Sequence, residues 1–327
     1  MTLDLLMTLH LLEESQVEGD KTWGIFGIIF NSTTTTPIPT TPTTTTTTIQ
    51  KWPALKTTFS VNKSGGFNDQ PRTASEAEAA GWELVASCDG KFLGHRYANP
   101  ADFSIVLVFD DAGYIAGTQS VLPLQYIDST IVDYTGNPAY QLDMWYDQEA
   151  YFTTAYFVDP ALICGGGRTS EEWEAQGTGD RLMVQVGETP ESLVNIPITR
   201  DAADMESGVW YDHYCFIGMG DHYLQFNYQP DQDCFSVLPL QILFSEGVIN
   251  GFVWQHTAML PGDQWEHPDG TAISMIIDRP PPCVMELAVN PGLSTMHHYF
   301  YDYPWLTLCP LFQRNLGGYK KLMRNTK

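Results

Sequence analysis

Of the eight histidines in this 327-residue chain, six lie between residues 213 and 298: His213, His222, His256, His267, His297 and His298. Imidazole is the commonest transition-metal ligand and the usual general base near neutral pH. A strand carrying His222, a strand ending at His256 and a strand through His297-His298 would bring three rings together if they were neighbours. Side chains alternate between the faces of a strand, so only one of His297 and His298 can share a face with His222. Met296 would add a soft thioether suited to copper, while three imidazoles with an open position also suit zinc. Such a centre would activate water or, with copper, pass an electron to oxygen. One expectation is therefore a copper- or zinc-dependent oxidoreductase or hydrolase. No HxH or HExxH spacing fixes these ligands, so only the tertiary fold can assemble them.

Other chemistry is sparse. No GxSxG occurs, which removes the nucleophile elbow of one large hydrolase class. The run Cys164-Gly165-Gly166-Gly167-Arg168 lacks the GxxxxGK[ST] pattern of a phosphate loop and is read as a flexible joint. Asp110-Asp111 and Asp231-Gln232-Asp233 stand where hairpin turns commonly place aspartate. Aromatic residues, 13% of the chain, offer a second route to function. Trp145, Trp210, Tyr211 and Trp254, if exposed, would stack on a sugar ring or another flat apolar ligand. The leading expectation is accordingly a binding protein that uses an aromatic surface or the cleft between two modules. Its partner would be a small molecule, a carbohydrate or a cationic species.

The elements that must position these residues show a repeat. "PRTASEAEAAGW" at 71–82 is echoed by "GRTSEEWEAQGTG" at 167–179. Each begins with a capping box, Thr73 with Glu76 and Thr169 with Glu172, and reaches glycine, Gly81 or Gly177, where a short helix stops. "CDGKFLGH" from Cys88 to His95 is matched by "CFIGMGDH" from Cys215 to His222, which suggests a shared structural role for the two histidines. "DFSIVLVFDDAGYIAG" and "DCFSVLPLQILFSEGVING" each read as a β-hairpin. "YFVDPALIC" ending at Cys164 is answered by "YFYDYPWLTLC" ending at Cys309. The hexapeptide "SVLPLQ" at 120–125 and 236–241 does not keep this register. The reading is a mainly β protein of two tandem, related, antiparallel modules, 51–166 and 167–310, each with a short capped helix and stapled by disulfides.

That duplication selects among the fifteen ways of pairing six cysteines. Cys88 and Cys215 are equivalent, as are Cys164 and Cys309, so Cys88–Cys164 and Cys215–Cys309 are expected, leaving Cys234–Cys283. Six scattered cysteines without CxxC point to an oxidising, extracellular compartment. Residues 32–50 form a Thr/Pro-rich linker that cannot bury a core, and Asn31 and Asn62 head glycosylation sequons. Residues 1–31 read as an extension or atypical signal segment, and 311–327 as a basic tail. A formal charge of −23 repels phosphate backbones and anionic lipid, so nucleic-acid binding and membrane insertion are not expected. The same charge would suit a cation-rich extracellular or mineralised matrix, a third expectation.

Overall fold

A computed structural model describes residues 51–59, 66–227 and 229–309 of the chain. The amino-terminal extension, the Thr/Pro linker, Asn31, Asn62 and the basic tail lie outside the described residues.

The first half contributes β1 (Lys56–Thr57), β2 (Asn68–Asp69), α1 (Ala74–Ala79), β3 (Glu83–Ala86), β4 (His95–Asn99), β5 (Asp102–Phe109), β6 (Ile115–Pro123), β7 (Gln141–Trp145), β8 (Gln148–Tyr156) and α2 (Pro160–Ile163). The second contributes α3 (Ser170–Gln176), β9 (Leu182–Gln185), β10 (Leu193–Ile196), α4 (Arg200–Met205), β11 (Tyr211–Phe216), β12 (Gly220–Leu224), β13 (Leu240–Ser245), β14 (Val248–His256), α5 (Gly270–Ile276), α6 (Pro282–Leu287) and β15 (Ser294–Tyr299). The protein is mainly β, with two antiparallel sheets, and no helix among the described residues is long and apolar enough to cross a membrane.

The sheets have the same plan. One runs β3-β4-β5-β6-β8-β9-β10, with β7 also paired to β8, and the other runs β11-β12-β13-β14-β15-β1-β2. Position by position, β3 answers β11 and β8 answers β15, but the last two strands come from the opposite half. The hairpin β1–β2 precedes the first copy and completes the second sheet, while β9–β10 precedes the second copy and completes the first. The two halves have exchanged their leading hairpins. Where the incoming chains cross, Trp52 donates its amide to Gln176, Thr178 donates to the Trp52 carbonyl, and the Trp52 ring stacks on Phe300 at 3.9 Å. Gly177, at φ +63°, is required here because a Cβ would lie 2.3 Å from the Trp52 carbonyl oxygen.

The sheets pack face to face. Ile105, Leu107, Phe109 and Ala116 of one join Ile242, Phe244, Phe252 and Trp254 of the other in one buried cluster. Each large side chain so buried contributes roughly 1.5–3 kcal/mol relative to exposure. All three disulfides follow the pairing expected from the duplication: Cys88–Cys164, Cys215–Cys309 and Cys234–Cys283.

Two readings of the repeat are corrected. Both capping boxes form, at Thr73 and at Thr169. The counterpart of α1 in the fold, however, is α4, not α3. Thr73 bridges Tyr114 just before β6, and Thr199 bridges Val248 at the start of β14; the amides of Ala74 and Arg200 donate to the turn carbonyls of Gly113 and Gly247 at 2.8 and 2.9 Å. The matching sequence is "PITRDAADMESGVW" at 197–210, which shares Pro, Thr, a buried Ala (Ala77, Ala203), Gly and Trp with 71–82. Its N3 position is Ala202, so it lacks the glutamate that makes a capping box conspicuous.

The glycine-rich joint is not loose either. The Arg168 side chain is fully buried, pairs with Asp110 at 2.9 Å, donates to the carbonyls of Gly177 and Ile115, and lies over the rings of Tyr114 and Trp173. A buried guanidinium is tolerated only when its donors are this well matched.

Candidate functional site

The outer faces of the two sheets are treated differently. Over the second sheet, Ile273 and Ile277 from α5 and its C-terminus and Val284 of α6 pack on Leu224 and Phe226, and Cys234–Cys283 ties α6 to the β12–β13 connection. Over the first sheet no helix plays this part among the described residues; Phe92 and Trp145 pack instead with Ala98, Val106, Val121 and Phe152. There, β3, β4 and the β7–β8 hairpin enclose an open cleft of about 410 Å³.

Arg96, Val106, Gln119 and Phe152 line the cleft, with Met144, Trp145 and Tyr146 and the backbone run 83–86 completing it. Arg96 lies over the Phe92 ring at 4.7 Å and donates through Nη2 to Asp89, but its Nε is buried and meets no acceptor. Gln119, 1% exposed, donates from Nε2 to Thr154 Oγ1 at 2.9 Å, while its Oε1 is buried and meets no donor. A buried polar atom without a partner costs about 1–3 kcal/mol. Two residues lining the cleft thus hold a buried donor and a buried acceptor without protein partners, beneath a rim where Leu84, Met144 and Tyr146 are exposed.

Of the aromatic residues expected to form a binding surface, only Trp145 lines this cleft, as a mostly buried ring set edge-on to Phe152 at 6.0 Å. Trp210 is buried in the main core, with Nε1 donating to Glu206 at 3.1 Å. Trp254 is wholly buried between the sheets, and Tyr211 is half-buried on β11 with its hydroxyl on the Gly208 carbonyl. These four do not share one exposed surface: Trp145 lines the cleft, Trp210 and Trp254 are buried in the core, and Tyr211 is half-buried on β11.

The histidines divide in the same way. His222 and His297 share the outer face of the second sheet with ring centroids 6.4 Å apart, and His297 Nδ1 lies 2.9 Å from Glu266 Oε2. His256 contacts Ser120 and His298 contacts Thr118 across the inter-sheet core, and Met296, also fully buried, packs in that core. A single centre drawing on His222, His256 and either His297 or His298 is therefore not assembled. Burial pushes the pKa of His222, His256 and His298 down to about 3 and that of His213 to about 4, so all four are neutral at physiological pH. Among the described residues, the one trio of His, Cys, Asp or Glu atoms close enough to hold a metal is Cys88, His95 and Asp111, and the Cys88 sulfur is committed to Cys164.

His95 and His222 are not equivalent. His95 pairs with Phe109, which pairs with Ile115, whereas Asp221 pairs with Phe244, which pairs with Ile249. His95 thus matches Asp221, and His222 matches Arg96. A one-residue difference moves a side chain to the other face.

The inter-sheet contacts include a Ser–His–Tyr relay: Ser120 Oγ is 2.9 Å from His256 Nε2, and His256 Nδ1 is 3.0 Å from the Tyr140 hydroxyl. Ser120 is wholly buried and also bonds Thr153 at 2.5 Å, and among the described residues no carboxylate orients the ring. The relay satisfies polar groups inside the core; Tyr140 and His256 also line a small pocket of about 70 Å³, which Ser120 does not reach.

Arg96 and Gln119 were not singled out by sequence reasoning. The available signal was weak: an arginine and a glutamine in strands that hold other polar residues, His95 and Asn99 in β4 and Thr118 and Ser120 in β6. Comparison with known proteins finds no family model, no curated protein and no solved structure that matches the chain.

Proposed function

We propose that this is a secreted, disulfide-bonded binding protein that holds a small amphipathic molecule on the open face of its first sheet. The carrying observation is the pair of partnerless atoms, Arg96 Nε and Gln119 Oε1, at a 410 Å³ cleft lined by Trp145 and Phe152. Ligand sites are typically concave, mostly apolar and furnished with a few such polar groups. Asp89 already neutralises Arg96, and the chain carries −23 overall, so the reading favours a neutral or cationic ligand with adjacent donor and acceptor atoms. Three disulfides and no free cysteine among the described residues support an oxidising compartment.

Titration with Nile red, a neutral flat amphiphile, tests the site through dye emission and quenching of tryptophan fluorescence. One saturable site is expected. Replacing the exposed rim residues together, Met144→Ala with Tyr146→Ala, should weaken binding on the order of tenfold without lowering the melting temperature. Non-saturable binding, or an affinity unchanged in the double variant, would remove the cleft from consideration.

A further inference from the structure

At the end of β4 the first half carries a second constellation, separate from the cleft. Ser87 Oγ lies 3.2 Å from His95 Nδ1, and His95 Nε2 lies 2.9 Å from Asp111 Oδ1. The other Asp111 oxygen accepts the Gly166 amide at 2.8 Å. That amide, with the His95 contact, holds the Asp111 carboxyl below the ordinary range, so it is ionised. An ionised carboxylate at Nε2 selects the tautomer with hydrogen on Nε2. The Nδ1 lone pair then faces the serine hydroxyl. This is the nucleophile, base and orienting group of acyl-transfer enzymes, with the two ring nitrogens exchanged.

One staple holds the three residues in place. Cys88 follows Ser87 directly, Cys164 lies two residues before Gly166, and the amide of Gly94, next to His95, donates to Cys164 Sγ at 3.1 Å. Ser87 is exposed and His95 half-buried, so both are reachable from solvent, unlike the buried Ser120 and His256. The turn after Ser87 bends at Gly90, φ +84°, and the amides of Cys88, Asp89 and Gly90 donate to no other described group. Amides directly after a nucleophile are where acyl-transfer sites commonly stabilise an oxyanion. The second half lacks the set: Tyr214 precedes its cysteine, Asp221 stands in the place of His95 and pairs with Arg200, and Glu246 occupies the turn.

We propose that Ser87, His95 and Asp111 form a serine acyl-transfer site for small carboxylic esters. Ser87 Oγ adds to the ester carbonyl carbon as its proton passes to His95 Nδ1. Collapse breaks the bond to the alkoxy oxygen, which leaves as the alcohol with that proton. Water then adds to the acyl-serine by the same route, releasing the carboxylic acid and restoring Ser87. Asp111 keeps its charge throughout and positions the ring.

The test is covalent labelling of the full chain with a fluorophosphonate, read by intact mass and peptide mapping. One adduct per chain on Ser87 is expected, with the rate reduced at least a hundredfold by Ser87→Ala and by His95→Gln. A Met205→Ala variant, at an exposed residue of α4 in the second half, should label at the wild-type rate. An unlabelled wild-type chain, an adduct mapped elsewhere, or an unchanged rate in a His95→Gln protein that melts normally would overturn the proposal. Should either variant fail to fold, the position of the wild-type adduct still decides.

Discussion

The two halves build the same seven-strand plan and use it in opposite ways. In the second half the sheet's outer face is closed by α5, α6 and the Cys234–Cys283 bond, and its histidines are sunk into apolar surroundings or hydrogen-bonded networks. In the first half the same face is packed under Phe92 and Trp145 and keeps a cleft beside Arg96, which stands where the second half has His222, and the hairpin turn carries Asp111 beside His95. The proposed cleft and the Ser87–His95–Asp111 set both belong to the first half, whereas six of the eight histidines lie in the second.

Acid should act most strongly on the closed half. His213, His222, His256 and His298, all in the second half, have pKa values pushed down to about 4, 3, 3 and 3 by burial. The unfolded chain binds their protons near pH 6.5 and the folded chain does not. The stability they permit is therefore complete above about 6.5 and falls as pH drops toward 4, by about 1.4 kcal/mol per pH unit for each ring. Melting temperature followed from pH 7 to pH 4 should decline steeply; a flat profile would show that these rings are not buried neutral.

Trp52 tests the exchanged hairpins. It belongs to the first half by sequence but stacks on Phe300 of the second. Trp52→Ala should cost about 3–5 kcal/mol. Hydrogen exchange should report lost protection in β13–β15 as well as beside Gly177. Loss confined to β3–β6 would contradict the exchange.

The smallest expected effect sharpens the difference between open and closed faces. Replacing Cys234 and Cys283 together by alanine should cost about 2–4 kcal/mol. It should also loosen α6 and expose Leu224 and Phe226. Nile red stoichiometry should then rise from one site toward two. A variant that is destabilised but still takes up one dye would mean that α5 and α6 cover that face without the bond.

Much of the architecture was readable before any coordinates. The duplication and equivalent cysteines led to all three disulfides, since a repeated unit repeats its staples. The β5–β6 and β13–β14 hairpins were visible because acidic and glycine turn residues lie between apolar runs. The α1–α4 correspondence was missed because Ala202 replaces the cap-completing glutamate. Trp254 could not be placed, since a tryptophan in a half-apolar strand reads alike on either face, and Trp210 stands just before β11, where no periodicity assigns a face.

Local chemistry alone thus determined the helix caps, hairpins, cysteine pairing and β-rich class, because each depends on residues close in the chain or on equivalence between copies. Only the tertiary structure decided that the leading hairpins cross over, that His95 matches Asp221, and that Ser87, His95 and Asp111 meet. Those outcomes turn on strand register and on which sheet edge captures a hairpin. Pairings between distant segments set both, and a one-residue offset reverses every side chain.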